Sequence, residues 1–205
     1  QAHKAYQDPE SDFFSFLRLW QFIHDQTRDL SSSRMRAWCR DRYINIVRLR
    51  EWREVHAQLR ELCQEIGLED RPPARDPNLP PQSAEKKAEQ RYNAVHRALL
   101  AGLLSNIGTR GDGFDYQGGR GSKFSIFPGS ALFKKGPKWL VAAEIVHTTK
   151  LYARCCAKVQ PEWIEELAQH VAKRSYSDAH WQQESGQVCA FERIHGVLGI
   201  FKAWL

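Results

Sequence analysis

The sequence predicts an α+β fold, in which an N-terminal helical unit is followed by a small, partly open β-barrel with flanking helices. Three observations lead there. Apolar residues recur at helical spacing through the first 68 residues, and a proline-rich stretch over 69–83 then interrupts them. Past a further helical stretch, 108–121 is rich in glycine and short strand-like runs follow. Residues 144–163 read as two strands in a hairpin and then a helix that begins at Pro161.

In the first unit, 1–68, Phe13, Phe16, Leu17, Trp20 and Ile23 share one helical face, with Asp12 placed to cap it. Ser31, Ser32 and Ser33 break the pattern and can cap a second helix starting near Arg34. A longer run, Ile44, Val47, Trp52, Val55, Leu59, Leu62 and Ile66, makes a third. Gly67 stands where a left-handed helix stop belongs, with Leu68 able to fold back on the last turn. The unit is crowded with arginine: Arg34, Arg36, Arg40, Arg42, Arg48, Arg50, Arg53 and Arg60 face only Asp41, Glu51 and Glu54 in that window. Such side chains grip phosphate in bidentate fashion, and they serve equally as a solvated helix face paired to acids.

The linker 69–83 holds Pro72, Pro73, Pro77, Pro80 and Pro81, so it is expected to be an extended connector. Ser83 can cap the next helix, with Tyr92, Val95, Leu99 and Leu103 on one face. Within 84–172 the expected strands are 123–127, 139–148 and 151–159, with Thr149 and Lys150 at the hairpin tip. Trp163, Ile164 and Leu167 form the apolar face of the helix after Pro161. Several short strands with basic loops and a capping helix fit a small barrel. Residues 173–205 read as the start of a further C-terminal region, cut short. There, 187–191 could add one strand, and 195–205 is apolar without an obvious sheet partner.

An apolar fraction of 42% with 26% charged residues is ordinary for a globular chain. No apolar run approaches the roughly 18 residues of a membrane span, and the N-terminus lacks the apolar core of a signal peptide. A cytoplasmic protein is expected. The lone methionine, Met35, and a start at Gln1 predict a piece of something longer. Cys39, Cys63, Cys155, Cys156 and Cys189 form no C-x-x-C pair and are expected to be reduced thiols, with Cys155 and Cys156 on opposite faces of a strand.

Motifs for chemistry fail one by one. Gly118-Gly-Arg-Gly-Ser-Lys123 has the glycines of a nucleotide-binding loop, but a strand follows where a phosphate-binding helix is needed. Gly111 and Gly113 are followed by Tyr116 where a dinucleotide motif needs its third glycine. There is no H-E-x-x-H, and His147 reads as a packing or surface residue. Glu165 and Glu166 are adjacent on a helix and cannot face each other as an acid/base pair. No catalytic, metal or cofactor residue is expected.

Nucleic-acid chemistry survives this filter. The net charge is +6; residues 1–90 are balanced, and 97–158 carries 10 Lys and Arg against 3 acids. A concentrated basic field suits a polyanion, although a basic surface that aids solubility would look the same. Single-strand sites pair such a field with aromatic faces for bases. The candidates are Arg110, Arg120 and Lys123 on the glycine-rich loop, Lys134, Lys135 and Lys138 on the next turn, and Lys150 and Arg154 on the hairpin. Tyr152 alternates in step with Lys150 and Arg154 and so shares their strand face, where it could stack on a base or pack in the barrel. Phe124, Phe127, Phe133 and Trp139 read mostly as core.

Taken in order, two sets of motifs resemble the C-terminal accessory region of bacterial HrpA-type DEAH-box RNA helicases. Asp12-Phe-Phe-Ser-Phe-Leu-Arg-Leu-Trp20, the three serines and Arg48-Leu-Arg-Glu-Trp52 are similar to the end of the helicase-associated, ratchet-like helical domain. Leu100-Ala-Gly-Leu-Leu-Ser-Asn-Ile-Gly108, Ile126-Phe-Pro-Gly-Ser130 and Pro161-Glu-Trp163 are similar to its OB-fold. The resemblance covers roughly 8–193, and 194–205 departs from it. In that family two RecA-like domains bind ATP and Mg²⁺, hydrolyse the nucleotide and ratchet single-stranded RNA through a channel that the helical domain and OB-fold close. The resemblance thus implies a fragment without ATPase activity of its own, whose basic residues guide single-stranded RNA and whose partners include the parent's motor domains. A docking module for those motor domains, or for a protein activator, is the competing expectation.

Overall fold

The computed structural model describes residues 3–68, 83–111, 113–168, 173–182, 187–196 and 199–203, with backbone alone at 120, 173–178 and from 182 onward. The expected connector over 69–83 lies, but for Ser83, outside the described residues. The chain divides into two units, one formed by 1–5 and 19–84 and the other by 6–18 and 85–205. Helix α1 (Asp12–Thr27) contributes to both.

The first unit is helical, as its periodicity requires. α2 (Ser32–Asp41) and α3 (Ile46–Glu65) pack with the second half of α1 around Ile23, Met35, Cys39 and Leu49. Asn45 caps α3, its side-chain oxygen accepting from the Val47 and Arg48 N–H groups at 3.0 and 3.2 Å. The helix ends at Gly67 with φ +76°, and the Leu68 N–H bonds to the Cys63 carbonyl at 2.8 Å. This is the stop its sequence demands. Ser31 holds the cap position of α2 without a side-chain cap bond. The apolar run on α3 is only partly used: Trp52 packs on Trp20, whereas Val47, Val55, Leu59, Leu62 and Ile66 stay exposed. Some arginines have local duties. Arg48 pairs with Glu51 at 2.8 Å, and Arg42 lies over the Trp38 ring at 4.6 Å.

The second unit is built on five strands: β1 (Ile107–Arg110), β2 (Asp115–Gly118), β3 (Lys123–Ile126), β4 (Trp139–His147) and β5 (Leu151–Lys158). They close into a barrel in the order β1-β2-β3-β5-β4. The expected partly open barrel is thus closed, by a short parallel pairing of Ser125 with Tyr152 and Ile126 with Ala153. The glycine-rich stretch, read as a loop, supplies β1 and β2. Two of its glycines are there for packing. Gly108 and Gly118 are partners across the ladder, and both lie against the buried Phe124 ring. A Cβ at Gly108 would stand 2.4 Å from Phe124 Cζ, and one at Gly118 2.8 Å from Phe124 Cε1. Tyr116, Leu132, Leu140 and Cys156 complete this interior.

Helices α4 (Ala84–Gly102) and α5 (Pro161–Leu167) cover the outside of β1, β4 and β5, burying Leu100, Ile107, Val141, Trp163 and Ile164 together. Pro161 opens α5 where its missing N–H costs nothing. A separate antiparallel sheet follows, β6 (Lys173–Gln182), β7 (Gln187–Gly196) and β8 (Gly199–Ala203). The tail therefore does have a sheet partner, since β8 pairs with β7 from Glu192–Ala203 to Gly196–Gly199.

The segment entering α1 belongs to the barrel unit, and here the expected cap is corrected. Ser11, not Asp12, caps the helix, its hydroxyl accepting from the Phe14 N–H at 3.1 Å. Asp12 turns to the barrel instead, accepting from the Ser130 hydroxyl (2.6 Å), the Ala131 N–H (2.8 Å) and the Cys156 N–H (2.8 Å). The α4 face was expected to centre on Tyr92, Val95, Leu99 and Leu103, yet His96 and Leu100 are its buried residues. His96 Nδ1–H donates to the Tyr92 carbonyl at 2.7 Å, which leaves Nε2 to accept from the Ser11 hydroxyl at 2.7 Å. Burial holds its pKa below the usual 6.5.

Two outcomes follow from this packing. Gly108→Ala is expected to destabilise the chain by about 2 kcal/mol in urea unfolding, as overpacking against a fixed ring does. Pairing it with Phe124→Leu should cost less than the two single changes added together. The neutral His96 contributes stability above about pH 6.5, and that contribution is lost as pH falls through its lowered folded value, because the unfolded state then binds the extra proton. Unfolding curves between pH 7.5 and 5 should therefore be flatter for His96→Gln than for the wild-type chain.

Candidate nucleic-acid interface

A cleft of about 480 Å³ opens on the barrel beside β2, β3, β5 and the turn from β3 to β4. Phe114, Tyr116, Phe133 and Tyr152 give it an aromatic lining, and Lys134, Lys150 and Asp115 supply its charges. Phe114 is 70% exposed and Phe133 38% exposed, so neither is committed to the core. Phe127, also at 38%, meets Tyr152 edge-on with centroids 6.0 Å apart. The expectation that Phe127 and Phe133 are mostly core is thus corrected, while Phe124 at 2% satisfies it.

Three cations at or beside the cleft lie over rings. Lys134 Nζ is 5.7 Å from the Phe133 centroid and Lys150 Nζ 5.3 Å from that of Tyr152. Arg154 Cζ lies 4.9 Å from the Phe127 centroid. Such contacts hold a cation in place without neutralising it, so its charge is still available to an anion. Lys134 reaches its position from a left-handed backbone, φ +68°, a conformation that glycine adopts freely and lysine rarely does.

The remaining predicted residues divide by what they touch. Arg110 is spoken for: Nε donates to the Gly113 carbonyl at 2.9 Å and Nη1 to the Gly136 carbonyl at 2.8 Å, tying two turns together. Lys135 points away from Lys134 and donates to the Pro9 carbonyl at 3.1 Å. Lys123 sits 3.6 Å from Asp115, and Arg154 3.8 Å from Glu144 across the β4–β5 pair. Lys138 is exposed, its carbonyl accepting from the Arg110 N–H. The side chain of Arg120 lies outside the described residues. The cleft therefore gathers Lys134, Lys150 and Tyr152, with Arg154 beside it.

Sequence reasoning missed Phe114 and Asp115. Phe114 stands in the turn between β1 and β2, where a large exposed aromatic beside Gly113 was a usable signal. Asp115 accepts from the Ser125 hydroxyl at 2.6 Å, and that bond first, then Lys123 and Lys150, holds its carboxyl below the usual range. Among the described residues no three His, Cys, Asp or Glu gather to hold a metal, and no helix is long and apolar enough to cross a membrane.

Comparison with known proteins agrees with this architecture. The family model of the oligonucleotide/oligosaccharide-binding (OB) fold matches residues 95–171. The chain is 43% identical over 195 residues to the ATP-dependent RNA helicase HrpA of Escherichia coli (strain K12), covering 95% of this chain and 14% of that protein. The HrpA homolog of Haemophilus influenzae is 40% identical over the same shares. The probable ATP-dependent RNA helicase DHX40 of Homo sapiens is 30% identical over 82% of this chain and 20% of its own length. The chain thus spans a fifth or less of these curated relatives.

Arg110→Lys is expected to loosen the two turns that frame the cleft, because an ammonium cannot fork to both carbonyls. The loss should be about 1 kcal/mol in thermal or urea unfolding, with Lys134→Ala close to neutral in the same measurement.

Proposed function

The chain belongs by sequence to the HrpA-type DEAH-box RNA helicases, its OB-fold being a helicase accessory domain, and on that premise we propose that it binds and guides single-stranded RNA for the motor of a longer parent protein. The observation that carries the proposal is the aromatic cleft, with Lys134 and Lys150 held over rings in its lining. Phosphates would displace counter-ions at the lysines while an unstacked base lies against Tyr152 or Phe114. ATP and Mg²⁺ would act on the RecA-like domains of the parent, which are partners in this reading, and the accessory part would regulate them by holding the RNA.

Fluorescence anisotropy with a short labelled single-stranded RNA tests this. Binding should weaken steeply with salt. Lys134→Ala and Lys150→Ala should each lower the slope of log K against log[salt] by about 0.7. Tyr152→Ala should weaken binding by about 1–3 kcal/mol with the slope unchanged. If no salt-dependent binding occurs at low ionic strength, the proposal is wrong.

A further inference from the structure

The acid in this cleft is out of place for a surface that meets only phosphates. We infer that Asp115 makes the cleft selective for a base, and that the base is guanine; the inference rests on the RNA-binding proposal above. A carboxylate repels a phosphate backbone, and Asp115 stands in the same lining as Lys134 and Lys150. Holding Lys123 is a weak reason for it, because that pair is 3.6 Å apart and its side chains are 67% and 40% exposed.

The carboxylate is well placed to read a ligand. Asp115 pairs with Ser125 across the β2–β3 ladder, and the Ser125 hydroxyl, in a residue only 9% exposed, donates to Oδ1 at 2.6 Å. That bond fixes the orientation and uses one of about four lone-pair sites on the group. Lys123 approaches Oδ2 from outside hydrogen-bond range. Acceptor capacity on both oxygens therefore remains, and the side chain, 40% exposed, belongs to the cleft lining. The group also stays ionised, since Ser125 and the nearby lysines lower its pKa.

Two acceptors side by side call for two donors side by side. Among the RNA bases only guanine offers this, with N1–H next to its N2 amino group. Adenine and cytosine each place an acceptor lone pair beside their single amino group, and that lone pair would face the carboxylate. Uracil sets one N–H between two carbonyls. The Phe114 and Tyr152 rings beside Asp115 supply faces for the purine.

The test compares oligouridine strands of about ten nucleotides carrying one central G, A or C, bound by the 205-residue chain at low salt. The G strand should bind roughly tenfold tighter than the A strand. Asp115→Asn, which replaces one acceptor with a donor, should reduce that ratio to about twofold or less. Lys123→Ala should keep it. Circular dichroism checks that Asp115→Asn is folded; if it is not, competition on the wild-type chain decides, and GMP should displace the RNA at concentrations where AMP does not. Failure of every strand to bind would overturn the RNA-binding proposal itself. Binding without base preference, a preference that survives Asp115→Asn, or equal weakening of all strands by that change would overturn the guanine assignment and leave RNA binding standing.

Discussion

The barrel unit depends on one buried carboxylate. Asp12 takes three donors, from Ser130, Ala131 and Cys156, that lie on the β3–β4 turn and on β5. Each is a charge-assisted bond, and such bonds contribute about 1.5–3 kcal/mol when buried and well aligned. Asp12 thereby supplies the acceptor for two backbone N–H groups, one in a turn and one on β5. The start of α1 is therefore a component of the barrel. Ser11 extends the attachment by pairing with Ala157, and Lys158 extends it through the Glu10 carbonyl.

The candidate site sits on what this attachment holds still. The turn that Asp12 grips at Ser130 and Ala131 continues into Phe133 and Lys134, which line the cleft. Arg110 braces the same turn further on, at Gly136, and ties it to the β1–β2 turn that carries Phe114. Gly136 has φ +52°, which favours glycine there, and a Cβ would also push the Arg110 guanidinium off the turn. Arg110 thereby acts on the cleft by shaping its walls. Lys134 and Lys150 are the cations that face it.

Much of the fold was legible because it rests on local rules. The stop at Gly67, the start at Pro161 and strands β3, β4 and β5 all follow from spacing and turn chemistry. Most of the misreadings share one physical cause: a residue answering to a partner outside its own element. Gly108 and Gly118 are spaced for the Phe124 ring, which no local pattern discloses. Asp12 looked like a cap because Asp before an apolar helix usually is one, yet its partners are more than a hundred residues away. His96 was invisible in the α4 pattern because its burial depends on Ser11. At the cleft, Lys150, Tyr152 and Arg154 could be placed on one face by alternation alone. The separation of Lys134 from Lys135 could not, since it depends on a left-handed residue that sequence periodicity does not reveal.

Cys155 lies between the Asp12 attachment and the cleft on β5. Its φ is +51°, uncommon for a residue with a Cβ, and it interrupts β5 between Arg154 and Cys156. The β4–β5 ladder runs Ala142–Cys156 and Glu144–Arg154 with the intervening pair unmade. Such a backbone costs about 1–3 kcal/mol and persists only where its surroundings over-determine it. On one side the Cys156 N–H is bound by Asp12; on the other Arg154 lies over Phe127, which abuts Tyr152. The bond to Asp12 is thus made one residue from the strained position. Arg154 and Tyr152 precede it on the same strand, so β5 connects the first residue of α1 to the cleft.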